Sequence, residues 1–227
     1  MVDWLGHADC ADCAEGRNGV CRDLPLVRRD GVSAPIDRLT YSAKMPIYGE
    51  GDAAHYVYAV REGLLKLSQV AGNGTPRIVR FLRPGQLAGM EALAGEPYRH
   101  TVETLLPTQL CRIPVTALEE GPARETVLSP RLFRHWLRAM DDADAVIAQL
   151  STGAAQGRVA RFMLYVLSEA GEDSCVALSR DDMSALLSVT METVSRTVAD
   201  FKRQGWVQEH GGRFHFDRQG LTPIGAQ

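Results

Sequence analysis

No stretch of the 227-residue chain approaches the roughly 18 consecutive apolar residues that a bilayer span requires. The opening Met1-Val-Asp-Trp-Leu-Gly-His has no basic segment ahead of an apolar one, which excludes a secretory signal peptide and makes the cytoplasm the expected compartment. There is no excess of positive charge. The 25 Lys and Arg stand against 28 Asp and Glu, a net charge of -3, so any attraction to nucleic acid has to come from a local patch. Cysteine is scarce and odd in number, five in all at positions 10, 13, 21, 111 and 175, which in a reducing compartment favours metal ligation, redox chemistry or core packing over a disulfide framework. His55 and His100 are isolated, without the H-x-H, carboxylate and distant His spacing that a small metallo-β-barrel enzyme needs, so a cupin-like metalloenzyme is the remotest reading and no catalysis is expected. What the chain does have is 45% hydrophobic and 23% charged residues, enough to bury a core in one large domain or two small ones.

Residues 1–30 are rich in Asp, Gly, Arg and Cys and show neither helical nor strand period, which reads as a loop or tail. From Leu39 to Pro114 the signals are β. Tyr56, Tyr58 and Val60 alternate with Val57 and Ala59, and Leu65-Lys-Leu follows Gly63. Asn73-Gly74 predicts a tight type I′ hairpin turn, and Pro84-Gly85 and Gly95-Glu-Pro97 predict further corners. Short strands at this spacing predict a sandwich or small barrel across residues 31–128.

The period then changes. Ser129-Pro130 predicts a helix start, after which Phe133, Trp136, Met140, Ala143, Ile147, Leu150 and Ala154 recur at alternating steps of three and four. Such a seam calls for a partner helix, and the first six of these residues are the expected homodimer contacts across a helix spanning 129–156. Asp142 and Asp144 flank it and weaken the pairing through like-charge approach. Gly153 and Gly157 predict a hinge, and Arg158 to Ala170 a second amphipathic helix.

Residues 157–227 read as a DNA-binding module. Ser179 caps a short helix with Asp181 and Asp182 in its first turn, Ser188-Val189 breaks it, and Thr190 caps a second helix that stops at Gly205. That second helix puts Val194, Val198 and Phe201 on one face and Glu192, Ser195, Arg196 and Ala199 on the other. An acid, a hydroxyl and a guanidinium near a helix N-terminus are the groups that read base edges in the major groove: Arg forks onto guanine, a carboxylate accepts from cytosine, and a hydroxyl serves several bases. Trp206-Val-Gln-Glu and Arg213-Phe-His-Phe around Gly211-Gly212 predict a β-hairpin wing.

In this order the segments resemble the Crp/Fnr family of bacterial transcription regulators over nearly the whole chain, and Glu192-Thr-Val-Ser195-Arg196 is similar to the E-x-x-S-R recognition helix of its Fnr branch. The resemblance implies an α+β fold with an N-terminal β-roll of the cyclic-nucleotide-binding jelly-roll type, a long dimerisation helix and a C-terminal winged helix-turn-helix. It also implies double-stranded DNA bound at a TTGAT-N4-ATCAA-like palindrome, with Glu192, Ser195 and Arg196 as readers, and RNA polymerase as a further partner. Ser188 stands where the family usually places Gly, so a non-glycine residue is expected in a less favourable backbone conformation.

Cys10-x2-Cys13, followed seven residues later by Cys21, gives three thiolates, and Cys111 late in the β-region gives a fourth if the segment folds back. Four thiolates suit zinc or an iron-sulfur cluster equally. The spacing resembles an Fnr-type ligand set, which implies a [4Fe-4S] cluster on Cys10, Cys13, Cys21 and Cys111 that responds to oxygen by controlling dimerisation. Cys175, in Cys175-Val-Ala-Leu, is expected to be a buried structural thiol. The alternative is a Crp-like regulator sensing a cyclic nucleotide, or zinc or redox state through its thiols. Cyclic-nucleotide-binding relatives carry a Glu and an Arg-Ser pair where this chain has Met90 and His100-Thr101; Arg99 is one residue away, and in a strand that shift turns it to the other face.

Overall fold

The computed structural model describes residues 1–8, 28–29, 32–33, 35–72, 74–119, 130–166 and 173–226. It divides into two compact units, Met1–Gln69 with Val79–Met140, and Val70–Ile78 with Asp141–Gln227.

The first unit is built on two antiparallel sheets. One contains β1 (Val2–His7), β4 (Asp37–Tyr41), β6 (Tyr56–Glu62), β9 (Leu87–Ala88) and β11 (Thr108–Pro114), in the strand order β1-β4-β11-β6-β9. The other contains β5 (Pro46–Tyr48), β7 (Leu65–Val70), β8 (Pro76–Leu82) and β10 (Thr101–Thr104), in the order β5-β10-β7-β8. Strands β2 (Arg28–Arg29) and β3 (Val32–Ser33) pair as a two-stranded ribbon. The central strands β6 and β11 are buried on both faces. Tyr58, Val60 and Leu110 join Leu65, Leu67, Tyr48 and Tyr98 in one apolar cluster, while their alternate neighbours Val57, Ala59, Cys111 and Ile113 join a second with Ile36, Ala92, Val115 and Ala117. Period-two alternation therefore serves two apolar layers, and no polar face separates them. The second layer is closed by a 3₁₀ turn at Met90–Ala94 and the short helix α1 (Thr116–Glu119).

The fold departs from expectation at the N-terminus and at the β7–β8 turn. The N-terminal residues are not all loop: Val2–His7 forms β1, paired antiparallel with β4, with Trp4 opposite Leu39. Asn73 lies outside the described residues, and the described flanks form a loop longer than two residues. Strand β7 ends at Val70 and β8 resumes at Pro76, Ala71 N–H donates to the Thr75 carbonyl, and Gly74 alone among the described turn residues takes a left-handed φ of 79°.

Helix α2 (Pro130–Leu150) begins at the proline as expected, and Ser129 lies outside the described residues. After a break at Gly153, α3 (Ala155–Arg161) runs into a wide π turn at Phe162–Val166. The expected helix to Ala170 is thus described only as far as Val166. Strand β12 (Ser174–Val176) leads to α4 (Arg180–Leu187) and α5 (Met191–Arg203), followed by the hairpin β13 (Val207–His210) and β14 (Arg213–Phe216) and a last helix α6 (Arg218–Gly225). The three strands pair in the order β12-β14-β13. Helix α6 has no counterpart in the sequence reading. It is short, contains Pro223, and is started by Asp217, whose carboxylate accepts from Gln219 N–H.

Candidate nucleic-acid interface and sensor region

Helices α4 and α5 form because their first turns are capped from the sequence. Ser179 Oγ accepts from Asp182 N–H, and Thr190 Oγ1 accepts from Thr193 N–H. Between them Ser188 sits at φ 57°, ψ 40°, the left-handed conformation that glycine adopts without strain, so the strained non-glycine turn is as expected. Met183, Leu186, Leu187, Val194, Val198 and Phe201 are buried and fix the two helices to each other. The opposite face of α5 is open: Glu192, Ser195, Arg196 and Ala199 are all exposed, the first and third at 73% and 72% of their side-chain surface. Arg196 and Glu192, one turn apart, form an ion pair, which aligns both side chains along the helix surface near its N-terminus.

The wing is a tight hairpin. Gly211 and Gly212 both have positive φ, 57° and 73°, and His210 pairs with Arg213, the geometry of a two-residue type I′ turn. Glu209 anchors it: Lys202 at 2.8 Å and Arg180 at 3.3 Å donate to one carboxylate oxygen, and these bonds hold Glu209 below the usual carboxylate range. Other cations of this unit also come with acids. Arg203 pairs with Asp200, and Arg218 with Asp173 at 3.0 Å. Cys175, in β12 opposite Phe214, is fully buried, and burial pushes its thiol up to about 12. The structural thiol is thus where the sequence put it.

On α2, Phe133, Trp136, Met140 and Ile147 are exposed and Ala143 is half-buried. Leu150 differs from its expected role. It is 2% exposed, packed within its own chain, and has no surface to give a partner. Leu137, outside the seven-residue seam, is exposed at 43% and widens the apolar strip. The sign that could have found it is its position one residue after Trp136, where a flared helical stripe broadens.

Of the four cysteines assigned to a cluster, Cys10, Cys13 and Cys21 lie outside the described residues. Cys111 is buried on the outer layer of the five-stranded sheet, away from the layer that holds Tyr48 and Tyr98, and Ala8 packs against the same cluster. The Ala8 N–H donates to the Ile36 carbonyl at 2.7 Å. Asp37 fastens β1 beside it, accepting from Trp4 Nε1 at 3.0 Å and from Arg112 at 2.7 Å, and the Arg112 guanidinium holds the Asp37 carboxyl below its ordinary value. Among the described residues no group of three or more His, Cys, Asp or Glu is disposed to hold a metal ion.

The inter-sheet layer is filled by aromatic rings. Tyr48 and Tyr98 stack with centroids 3.7 Å apart, Tyr58 lies 5.6 Å from Tyr48, and Tyr98 Oη donates to the Tyr56 carbonyl. Gly89, at φ 75°, is required there, because a Cβ would stand 2.8 Å from the Tyr98 ring and 2.9 Å from the Tyr56 carbonyl oxygen. Arg99 pairs with the exposed Glu96, while Glu91, half-buried, accepts from Arg99 N–H and lies 3.4 Å from His100 Nδ1.

A two-sheet unit joined in sequence to a helix-turn-helix with a wing defines a DNA-binding regulator, and comparison with known proteins agrees. The cyclic nucleotide-binding domain model matches residues 38–123, and the Crp-like helix-turn-helix domain model matches residues 157–224. The chain belongs to the Crp/Fnr family of transcription regulators. It is similar to the transcriptional activator protein anr of Pseudomonas aeruginosa, 28% identical over 93% of this chain and 89% of that protein. The nitrogen fixation regulation protein FixK of Azorhizobium caulinodans is 27% identical over 86% of this chain and 80% of its own. Among solved structures, FixK2 from Bradyrhizobium japonicum superposes with a TM-score of 0.69 at 27% identity, covering 85% of this chain and 98% of that one. A CRP-family transcriptional regulator from Thermus thermophilus gives 0.70 at 26% identity, covering 83% and 96%. The relatives it matches are transcription regulators, and no described helix is long and apolar enough to cross a membrane.

Proposed function

We propose that this regulator is oxygen-responsive, holding a [4Fe-4S] cluster on Cys10, Cys13, Cys21 and Cys111 and binding a TTGAT-N4-ATCAA-like palindrome as a homodimer. The observation that carries the reading is the position of Cys111. Its thiol lies on the sheet face against which Ala8 packs, and Ala8 precedes Cys10 by two residues, a separation the chain spans in about 7 Å or less. That reach supports a four-thiolate site closed between the N-terminal segment and β11, with Cys10, Cys13 and Cys21 themselves outside the described residues. When bound, such a cluster supplies an oxygen-labile iron-sulfur core.

The protein's own part is to turn that linkage into DNA affinity. Trp4, Asp37 and Arg112 hold β1 on β4, so the chain leading toward the first cysteine departs from the same sheet that carries Cys111. The exposed strip of Phe133, Trp136, Leu137, Met140 and Ile147 pairs with its counterpart in a second copy, burying surface that a lone chain leaves in water. Asp142 and Asp144 beside the strip keep that pairing marginal, as a switch requires. Pairing brings two α5 helices to the same side of the duplex, one helical turn apart, with Glu192, Ser195 and Arg196 at the base edges. RNA polymerase is the further partner through which such a regulator activates.

Cyclic-nucleotide sensing is the second reading, favoured by the domain match at 38–123. Against it, Tyr48, Tyr58 and Tyr98 fill the inter-sheet layer and Arg99 is turned onto Glu96. The test is anaerobic purification followed by an absorption spectrum and iron, sulfide and zinc analysis before and after air. A broad visible band with about four iron and four sulfide per chain that bleaches in air is expected, retained in Cys175→Ser and lost in Cys111→Ser. Stoichiometric zinc, no metal, or equal loss in both variants overturns the cluster assignment and leaves the DNA-binding reading standing.

A further inference from the structure

We infer that Arg161 is the positioning residue that sets the distance between the two DNA-reading helices, acting through the joint between α2 and the DNA-binding module; the inference rests on the two-half-site reading above. Arg161 is 8% exposed, an uncommon place for a guanidinium. All three of its nitrogens donate to backbone carbonyls: Nε to Gln149, one terminal nitrogen to Gly225 at 2.7 Å, and the other to Thr152. Gln149 is in the last turn of α2, Thr152 lies in the break that follows, and Gly225 closes α6.

The chemistry of the three acceptors explains why a buried cation is tolerated. The last four carbonyls of a helix have no intrahelical donor, and the C-terminal end of the helix carries partial negative charge. At the end of α2, Ser151 Oγ donates to the Ile147 carbonyl and Thr152 Oγ1 reaches the Ala148 carbonyl, and Arg161 takes the next in line. One planar fork on α3 thus satisfies two helix ends and neutralises both. The fit is close on the far side: a Cβ on Gly225 would stand 3.3 Å from Arg161 Cγ, so a larger residue there displaces the arginine stem.

Without the fork, the break between Leu150 and Ala155 contains Gly153 at φ 82°, a residue that leaves the backbone free to turn. Arg161 bridges that break. In a dimer built on α2, the angle across this joint decides where each α5 falls along the duplex, so the joint fixes the half-site spacing the protein accepts. A lysine keeps the charge but is a single point donor and cannot reach three carbonyls in one plane.

The experiment measures affinity of the full chain, purified anaerobically, for duplexes carrying two TTGAT-like half-sites whose spacer is changed one base pair at a time. Folding is checked by circular dichroism and dimerisation by sedimentation. The unaltered protein is expected to prefer one spacing by about tenfold or more, since misplacing the second helix forfeits its base contacts. Arg161→Lys is expected to remain folded and dimeric, to bind the best duplex more weakly, and to bind neighbouring spacings within about twofold of it. Gly225→Ala, which crowds the arginine without removing it, is expected to move in the same direction by less, and it decides the matter if the lysine variant does not fold. Uniform weakening at every spacing with the preference intact marks Arg161 as a stabilising residue only and overturns the inference. Unchanged spacing preference in both variants does the same. An unaltered protein indifferent to spacing instead sinks the two-half-site reading itself, and this inference with it.

Discussion

Arg196→Ala separates reading of DNA from holding of the fold. The side chain is 72% exposed and bonds Glu192 on the same helix face. An exposed ion pair at i, i+4 contributes about 0.3 to 0.5 kcal/mol, so urea midpoints should move by less than can be resolved easily. The effect on DNA is much larger. A bidentate contact to guanine is worth about 1 to 3 kcal/mol, and a palindrome engages two such helices, so operator affinity should fall by about 2 to 6 kcal/mol, roughly thirty-fold at the least. Fluorescence anisotropy against duplexes with each of the four bases at that guanine, in both halves together, reads the result. The variant should bind all four nearly alike, while the unaltered protein prefers guanine. Repeating the titration at several salt concentrations adds a control, because removal of a base contact leaves the salt slope in place whereas removal of a phosphate contact lowers it by about one per half-site. Equal weakening on every sequence with a shallower slope would refute the base-reading role, and a large loss of stability would refute the claim that this face is open.

Two further outcomes follow from burial. Because the Cys175 thiol is pushed up to about 12 from the ordinary 9.0, the unfolded chain releases that proton first as pH rises; its contribution to stability should be fully present below pH 9 and be lost at about 1.4 kcal/mol per unit between about pH 9 and 10, before the buried tyrosines add their own slope, and Cys175→Ala should remove that component in urea titrations at stepped pH. Met140→Glu places a charge in the exposed strip of α2 without touching a core, so sedimentation at matched concentration should show the monomer favoured with an unchanged circular dichroism spectrum; a dimer of undiminished strength would move the interface elsewhere.

The recognition unit was legible because its signals are local. Ser179 and Thr190 cap the helices they precede, Gly211-Gly212 makes the turn that needs two positive φ values, and Val194, Val198 and Phe201 keep helical period. Three features were hidden for physical reasons. Strand β1 is held at an edge by backbone pairing while Val2, Trp4 and Leu5 stay exposed, so no alternation of polarity announces it. Leu150 keeps the heptad step yet turns inward, because the helix ends there and its last turn packs on its own chain. Arg161 reads as one more polar position on an amphipathic helix, and only the carbonyls of Gln149, Thr152 and Gly225, far apart in sequence, give it a buried role. Its flanks, Val159-Ala160 and Phe162-Met163-Leu164, were the available hint, since a guanidinium amid apolar neighbours on every side has few exposed directions.

The pairing of Arg180, Arg196, Lys202, Arg203 and Arg218 with Glu209, Glu192, Asp200 and Asp173 bears on how the protein spends its time in a cell. Each cation that answers first to a neighbouring carboxylate displaces fewer counterions from random duplex, so the chain gains little by lingering on the vast excess of competing genomic positions. On the proposed reading, few molecules are then stored on irrelevant DNA, and operator occupancy follows the concentration of the binding-competent form with little buffering between signal and promoter.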